Sequence, residues 1–259
     1  MVKSEIFGSR PSILRPYLQQ FSNFKLFPDF WFITCIKEIN PDVDSRYLLV
    51  KECKNKDEFL TTDIVQLRPF FRRNIKIWII TFHKDKVYLE WEMNPFEVLS
   101  QKGLKTRIID ATRGKYIAES GHTKPDRTPF SRFFRSHLGG SYSLIDIDFM
   151  LQCENDDKLI LIEEKTFLSK GSGLIGQGQY ESFKELYRDV LSEEHLRSGG
   201  IIWFLVFVED DTVHCYDIVQ NGFPQGEVIS HPQWGKMVQI PLELMKKISL
   251  KKFLGMIDG

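Results

Sequence analysis

The chain has no surplus of charge. Thirty-five basic and 35 acidic side chains cancel over 259 residues. Bulk electrostatics therefore neither demand nor exclude a nucleic-acid partner, and local clusters must carry that argument. Cysteine is scarce: Cys35, Cys53, Cys153 and Cys215 form no CxxC unit. That removes a zinc knuckle and fits free, mostly buried thiols in a reducing compartment. Long apolar runs are missing too. The longest, Ile201 to Val208, has the length of a buried strand and falls short of the ~18 residues that span a bilayer. With no signal-type apolar segment after Met1, the expectation is a cytoplasmic or intracellular protein with no membrane partner. There is no internal repeat, no nucleophile elbow for Ser-His-Asp hydrolysis and no EF-hand pattern. The glycines at 171, 173, 176 and 178 do not lead into Gly-Lys-Ser/Thr or form a dinucleotide fingerprint, so ATP and NAD are not expected. They read as a flexible connection that lets substrate reach the strand ends.

What is present is ample apolar material, 42% hydrophobic and 13% aromatic, enough for one large or two modest domains. Pro11–Phe24 suggests a short helix; Phe30–Ile39 and Tyr47–Glu52 suggest strands around the Asn40–Asp42 turn region. Ile75–Phe82 and Lys86–Met93 suggest a hairpin whose first strand is apolar on both faces, and a short helix is expected over Phe96–Gln101. The Gly- and Pro-rich stretch Thr112–Pro129 is the best boundary. It divides the chain into a mostly β N-terminal region, 1–118, for recognition or association, and a second domain, 119–259. In the latter, helices are expected at Thr128–Leu138, Gln177–His195 and Pro241–Phe253, and strands at Ile201–Val208 and Thr212–Ile218.

The densest chemistry lies in Ser141–Thr166. Two apolar runs, Leu144–Leu151 and Leu159–Ile162, read as a strand hairpin across Gln152–Lys158. Asp146 and Asp148 alternate with isoleucines, so both carboxylates are expected on one side of the first strand. On the second strand Glu163 and Lys165 share a face and Glu164 turns away. Such charge at strand ends must be paired, hydrated or bound to metal. Asp148 and Glu163 on neighbouring strands, with Asp146 as a rival and the Glu164 carbonyl as a further oxygen, suit Mg²⁺ or Mn²⁺. Lys165 could orient a bound water and offset developing charge. A structural reading, strand-end salt bridging, stands beside this one.

These residues resemble the PD-(D/E)xK nuclease superfamily. Asp148 takes the place of the first acid, although the chain reads Ile-Asp-Ile-Asp rather than Pro-Asp, and Glu163 and Lys165 match the (D/E)-x-K element. Gln177 or Gln179 resembles the polar residue at the start of the next helix. The resemblance covers roughly residues 119–219. It implies an α/β fold of restriction-endonuclease type, a mixed central sheet flanked by helices with a helix, strand, strand, strand, helix, strand core. It also implies metal-dependent hydrolysis of phosphodiesters, in DNA rather than RNA. Some members add a glutamate from the first helix; Thr128–Leu138 has no acid, and Glu119 lies upstream of it. Arg68, Arg72 and Arg73, with Phe70 and Phe71 among them, and Arg127, Arg132 and Arg135 are the candidate phosphate contacts. An ordinary surface turn feeding the next strand is the preferred reading of the first group. Cutting both strands of a duplex needs two sites, which makes a homodimer attractive. The alternative is an inactive protein of the same fold serving as a nucleic-acid-binding or assembly module.

Overall fold

A long antiparallel ribbon with a bend in its middle organises the chain. The computed structural model describes residues 12–27, 30–35, 47–54, 61–73, 75–84, 86–91, 97–112, 128–138, 142–153, 157–165, 168–169, 171–232 and 234–258. Along the N-terminal half run α1 (Arg15–Leu18), β1 (Phe24–Phe27), β2 (Phe30–Cys35), β3 (Tyr47–Cys53), α2 (Thr61–Leu67), β4 (Lys76–His83), β5 (Lys86–Trp91), β6 (Glu97–Ser100) and α3 (Gln101–Thr112). The middle holds α4 (Pro129–His137), β7 (Tyr142–Ile147), β8 (Phe149–Cys153), β9 (Leu159–Lys165), β10 (Leu168–Ser169), β11 (Ser172–Gly176) and α5 (Gln177–Glu185). Then follow α6 (Glu193–Ser198), β12 (Ile201–Glu209), β13 (Thr212–Asp217), α7 (Ile218–Asn221), β14 (Glu227–His231), β15 (Gly235–Pro241), β16 (Lys246–Ser249) and α8 (Leu250–Asp258).

The strands form mixed sheets flanked by helices. One six-stranded sheet has the order β1-β8-β9-β12-β13-β16, and a second has the order β6-β5-β4-β3-β2-β7. A four-stranded sheet has the order β10-β11-β15-β14. β9 with β12 and β3 with β4 run parallel. The ribbon joins the two large sheets: β1 pairs with β8 in the first, and β2 with β7 in the second, in one register that continues across the bend. Strands that switch sheets at a bend are a known way to turn a corner. The run Leu144–Leu151 is therefore two strands, and Asp148 sits at the corner between them.

This pairing also crosses the division at residue 118. β1 and β2 lie before it, and their partners β8 and β7 lie after it. One apolar core, with Phe32, Leu49 and Ile77 from one sheet and Leu161, Trp203 and Leu205 from the other, fills the space they share. A second cluster packs α3 and α4 on the outer face of the second sheet, through Leu104, Ile108, Phe130 and Phe134. A third packs Leu14, Leu18, Phe253 and Ile257 on the outer face of the first. β4 is buried on both faces, Ile77 and Ile79 inward and Trp78 and Ile80 outward, as its sequence suggested.

Several expectations change. Among the described residues before β1, only Arg15–Leu18 is helical. Glu97–Ser100 is a strand and a twelve-residue helix follows it. The helix expected from Gln177 to His195 breaks: α5 passes into one π-helical turn, Leu186–Val190, before α6. The glycine-rich stretch is not a loose connection. Ser172, Gly173, Leu174 and Ile175 are buried in β11, and a side chain on Gly173 would meet the Phe207 ring at 2.2 Å. The C-terminal stretch read as a loop and a helix holds β14, β15 and β16 before α8. Asn40–Asp42, most of Thr112–Pro129 and Arg127 lie outside the described residues. Among the described residues no helix is long and apolar enough to cross a membrane. Cys53, Cys153 and Cys215 are free thiols.

Candidate active site

At the C-terminal end of β9 the chain's charge clusters. The strand's apolar residues alternate between the two faces of the sheet: Leu159 and Leu161 enter the shared core, Ile160 and Ile162 the outer one. The same alternation sends Glu163 and Glu164 in opposite directions. Glu163 is 1% exposed, which is tolerable for a carboxylate only with partners. It has two: the Lys165 ammonium, and the Gln179 amide, which donates to Oε1 at 3.0 Å. Gln179 stands in the first turn of α5, so the start of that helix supplies a donor directly to the strand end.

Asp148 completes the cluster from the corner of the ribbon. Its Oδ2 accepts the Glu164 backbone N–H at 2.9 Å and lies 3.4 Å from the Lys165 Nζ. Lys165 Nζ also donates to the Glu164 carbonyl at 3.3 Å. Asp148 and Glu163, from a corner and a strand, thus meet around the Lys165 ammonium, and Gln179 joins them from a helix start through Glu163. Lys165 is well shielded from water, with 13% of its side chain exposed.

The remaining candidates are not part of this cluster. The Glu164 carboxylate accepts from the Ser12 hydroxyl and from the Ile13 N–H at 2.8 Å. Burial raises its pKa; the Ser12 and Ile13 donors oppose that, and the Asp148 charge adds to it. Only its carbonyl faces the ammonium. Nothing in the sequence linked Ser12 to a residue 152 positions away. Asp146 does not share a face with a strand-borne Asp148. It alternates with Ile145 and Ile147, which enter the shared core, and it pairs in register with Trp31 of the outer cluster. Among the described residues, no group of three or more His, Cys, Asp and Glu side chains is placed to hold a metal ion.

The arginines divide as well. Arg68 donates to the carbonyls of Arg72 and Ile75 at 3.1 and 2.8 Å. Arg72 donates to the Arg188 carbonyl at 2.6 Å and pairs with Glu193 at 3.0 Å. Arg68 thus ties its own turn together and Arg72 ties that turn to the chain around Leu191, beside a cavity of about 730 Å³ lined by Arg68, Arg72, Arg73 and His195. That cavity lies at the other end of the helical segment from Gln179, about 16 Å along the axis at ~1.5 Å per residue. The three arginines therefore do not flank the acidic cluster. Arg132 is exposed on α4 and Arg135 half-buried there.

One histidine was missed. His214 lies in the same row across the sheet as Lys165, with Phe207 between them. It is 7% exposed, and neither ring nitrogen has a hydrogen-bond partner among the described residues. Burial, and then the Lys247 charge, hold its pKa below the usual histidine value, with Glu209 opposing. On acidification the unfolded chain takes up this proton first. Stability is thus present above the ordinary histidine pKa of about 6.5 and is lost as pH falls towards the lowered one. The melting temperature of His214→Leu should accordingly decline less than that of the parent between about pH 7 and 5. Parallel declines would remove the imidazole from the acid response.

Comparison of the chain with protein-family models, curated proteins and solved structures finds no match.

Proposed function

We propose that the chain is a metal-dependent endonuclease that hydrolyses phosphodiester bonds in DNA on a restriction-endonuclease-like core. The observation that carries this reading is the convergence of Asp148, Glu163, Lys165 and Gln179 at the end of β9. The succession α4, β7, β8, β9, α5, β12 agrees with the helix, strand, strand, strand, helix, strand core of the PD-(D/E)xK superfamily. It departs from that core in three places: β7 pairs in the other large sheet, a β10–β11 hairpin is inserted before α5, and α6 stands between α5 and β12.

The donor set suits Mg²⁺ or Mn²⁺: two carboxylates, Asp148 and Glu163, and the Glu164 carbonyl are all hard oxygens. When bound, such an ion lowers the pKa of a water and polarises a phosphoryl oxygen. The chain's own residues have separate jobs. Gln179 fixes the Glu163 carboxylate, and Lys165 offers a positive charge to the phosphate as negative charge grows in the transition state. The Glu164 N–H holds Asp148 in place. Two copies of the chain would serve the two strands of a duplex.

A second reading, an inactive module of the same fold, draws on one observation: Lys165 already pairs with both acids. Incubation with Mg²⁺ or Mn²⁺ and linear, branched and single-stranded DNA, with RNA alongside, separates the two. We expect DNA to be cut, and Asp148→Asn to slow cutting by at least about a hundred-fold with an unchanged circular dichroism spectrum. No cutting under either metal favours the inactive module, and full activity in the variant would remove Asp148 from the catalytic site.

A further inference from the structure

At one end of the four-stranded sheet, a tight turn holds two aromatic rings face to face. β14 ends at His231 and β15 begins at Gly235, and these two residues form the last pair of the hairpin. Between them the Trp234 N–H donates to the His231 carbonyl at 3.3 Å. Gly235 takes φ +72°, a conformation that costs glycine least and is common where three-residue hairpin loops close. The turn lays the rings of His231 and Trp234 4.0 Å apart and within 8° of parallel. The stacked core pairs Phe32–Tyr47 and Phe130–Phe133 are looser, with centroids 5.6 and 6.3 Å apart at 26°, and Phe183 and Trp203 meet edge to face at 86°. A flat stack on a hairpin tip, half-buried between exposed Pro232, Gly235 and Lys236, is no part of the apolar core.

The strand register locates this tip. Met237 of β15 pairs with Gly176 of β11, the residue immediately before α5. The first turn of α5 carries Gln179 to Glu163, and α5 packs on β15. The tip reaches two residues, about 7 Å at ~3.4 Å per residue, past the point where α5 begins.

We propose that the His231–Trp234 stack is a base-stacking platform that holds an unpaired nucleotide beside the phosphate to be cut, with Lys236 on a neighbouring phosphate. A nucleobase adds a third layer to rings that the turn has already aligned, so little ordering is needed on binding. This rests on the nuclease reading and narrows its substrate to nucleic acid with a single-stranded segment, an overhang, flap or branch, at the cut.

The test is fluorescence anisotropy with a labelled single-stranded oligonucleotide and a blunt duplex of the same length, in EDTA so that nothing is cleaved. Trp234→Ala should bind the single strand about ten-fold more weakly and the duplex as before. Trp234→Phe, which still stacks, should stay within about two-fold of the parent on both. His231→Ala, which shortens the platform without removing the indole, should fall between them. Unchanged single-strand binding in Trp234→Ala overturns the platform, whatever Asp148→Asn does to cleavage. An equal loss on the duplex overturns it as well. If the parent binds neither probe, the platform and the nuclease reading fail together.

Discussion

Lys165→Met should lose DNA cleavage by about a thousand-fold or more and, in the same protein, bind Mn²⁺ more tightly. Methionine keeps most of the length of the lysine side chain and removes its charge. Lys165 Nζ contacts Asp148, Glu163 and the Glu164 carbonyl, the three oxygens proposed to take the metal, so ammonium and ion compete for one seat. Without the ammonium the two carboxylates have no cation between them, and their mutual repulsion favours a divalent ion. Cleavage still falls, because no positive charge is left to meet the transition state. Without metal the variant should also be less stable by about 3 kcal/mol, the order expected when one partner of a buried pair is removed. Added Mn²⁺ should restore much of that through linkage. Calorimetric titration and melting curves with and without Mn²⁺ check both parts. Equal Mn²⁺ affinity in the parent and the variant would show that the lysine does not occupy the metal's place.

Gly173→Ala should destabilise the fold by about 3 kcal/mol and weaken the site from a distance. The added Cβ would lie 2.2 Å from Phe207 Cζ. The Phe207 ring is fully buried and cannot swing out, so either β11 or β12 must shift, the usual outcome of overpacking. β11 leads straight into α5, and a shift there moves Gln179 relative to Glu163. Denaturant unfolding should give the loss of stability, and cleavage at a temperature where the variant is folded should fall with it. By contrast, Gly178→Ala, at a position with nothing within 4 Å of the added carbon, should leave both nearly unchanged.

The site was more legible than the fold around it. Asp148, Glu163 and Lys165 lie along one local hairpin and Gln179 opens the following helix, so short-range periodicity was enough to bring them together. Pairs such as β4 with β5 and β12 with β13 were equally readable, because apolar alternation ended in turn residues at both ends. β16 was not. Lys246–Ser249 followed by Leu250–Phe253 has the apolar spacing of one helix, yet its first half completes the edge of β13, and tertiary pairing overrides local preference. The break at Asp148 was invisible for a similar reason. Ile-Asp-Ile-Asp-Phe alternates straight through the corner, and only the distant partners β1 and β2 decide that it bends. Arg68 and Arg72 resembled a phosphate-binding cluster, but a guanidinium that caps carbonyls of its own chain leaves no mark in composition.

The bent ribbon has a consequence for how such a protein could change. Because each arm contributes strands to both sheets, residues 1–118 cannot be exchanged for the N-terminal region of another protein without leaving β7 and β8 each short of a neighbour. New specificity would have to come through point substitutions or through growth of the loops. The β14–β15 hairpin, on the outer edge of the smallest sheet, can lengthen or shorten without disturbing that ribbon.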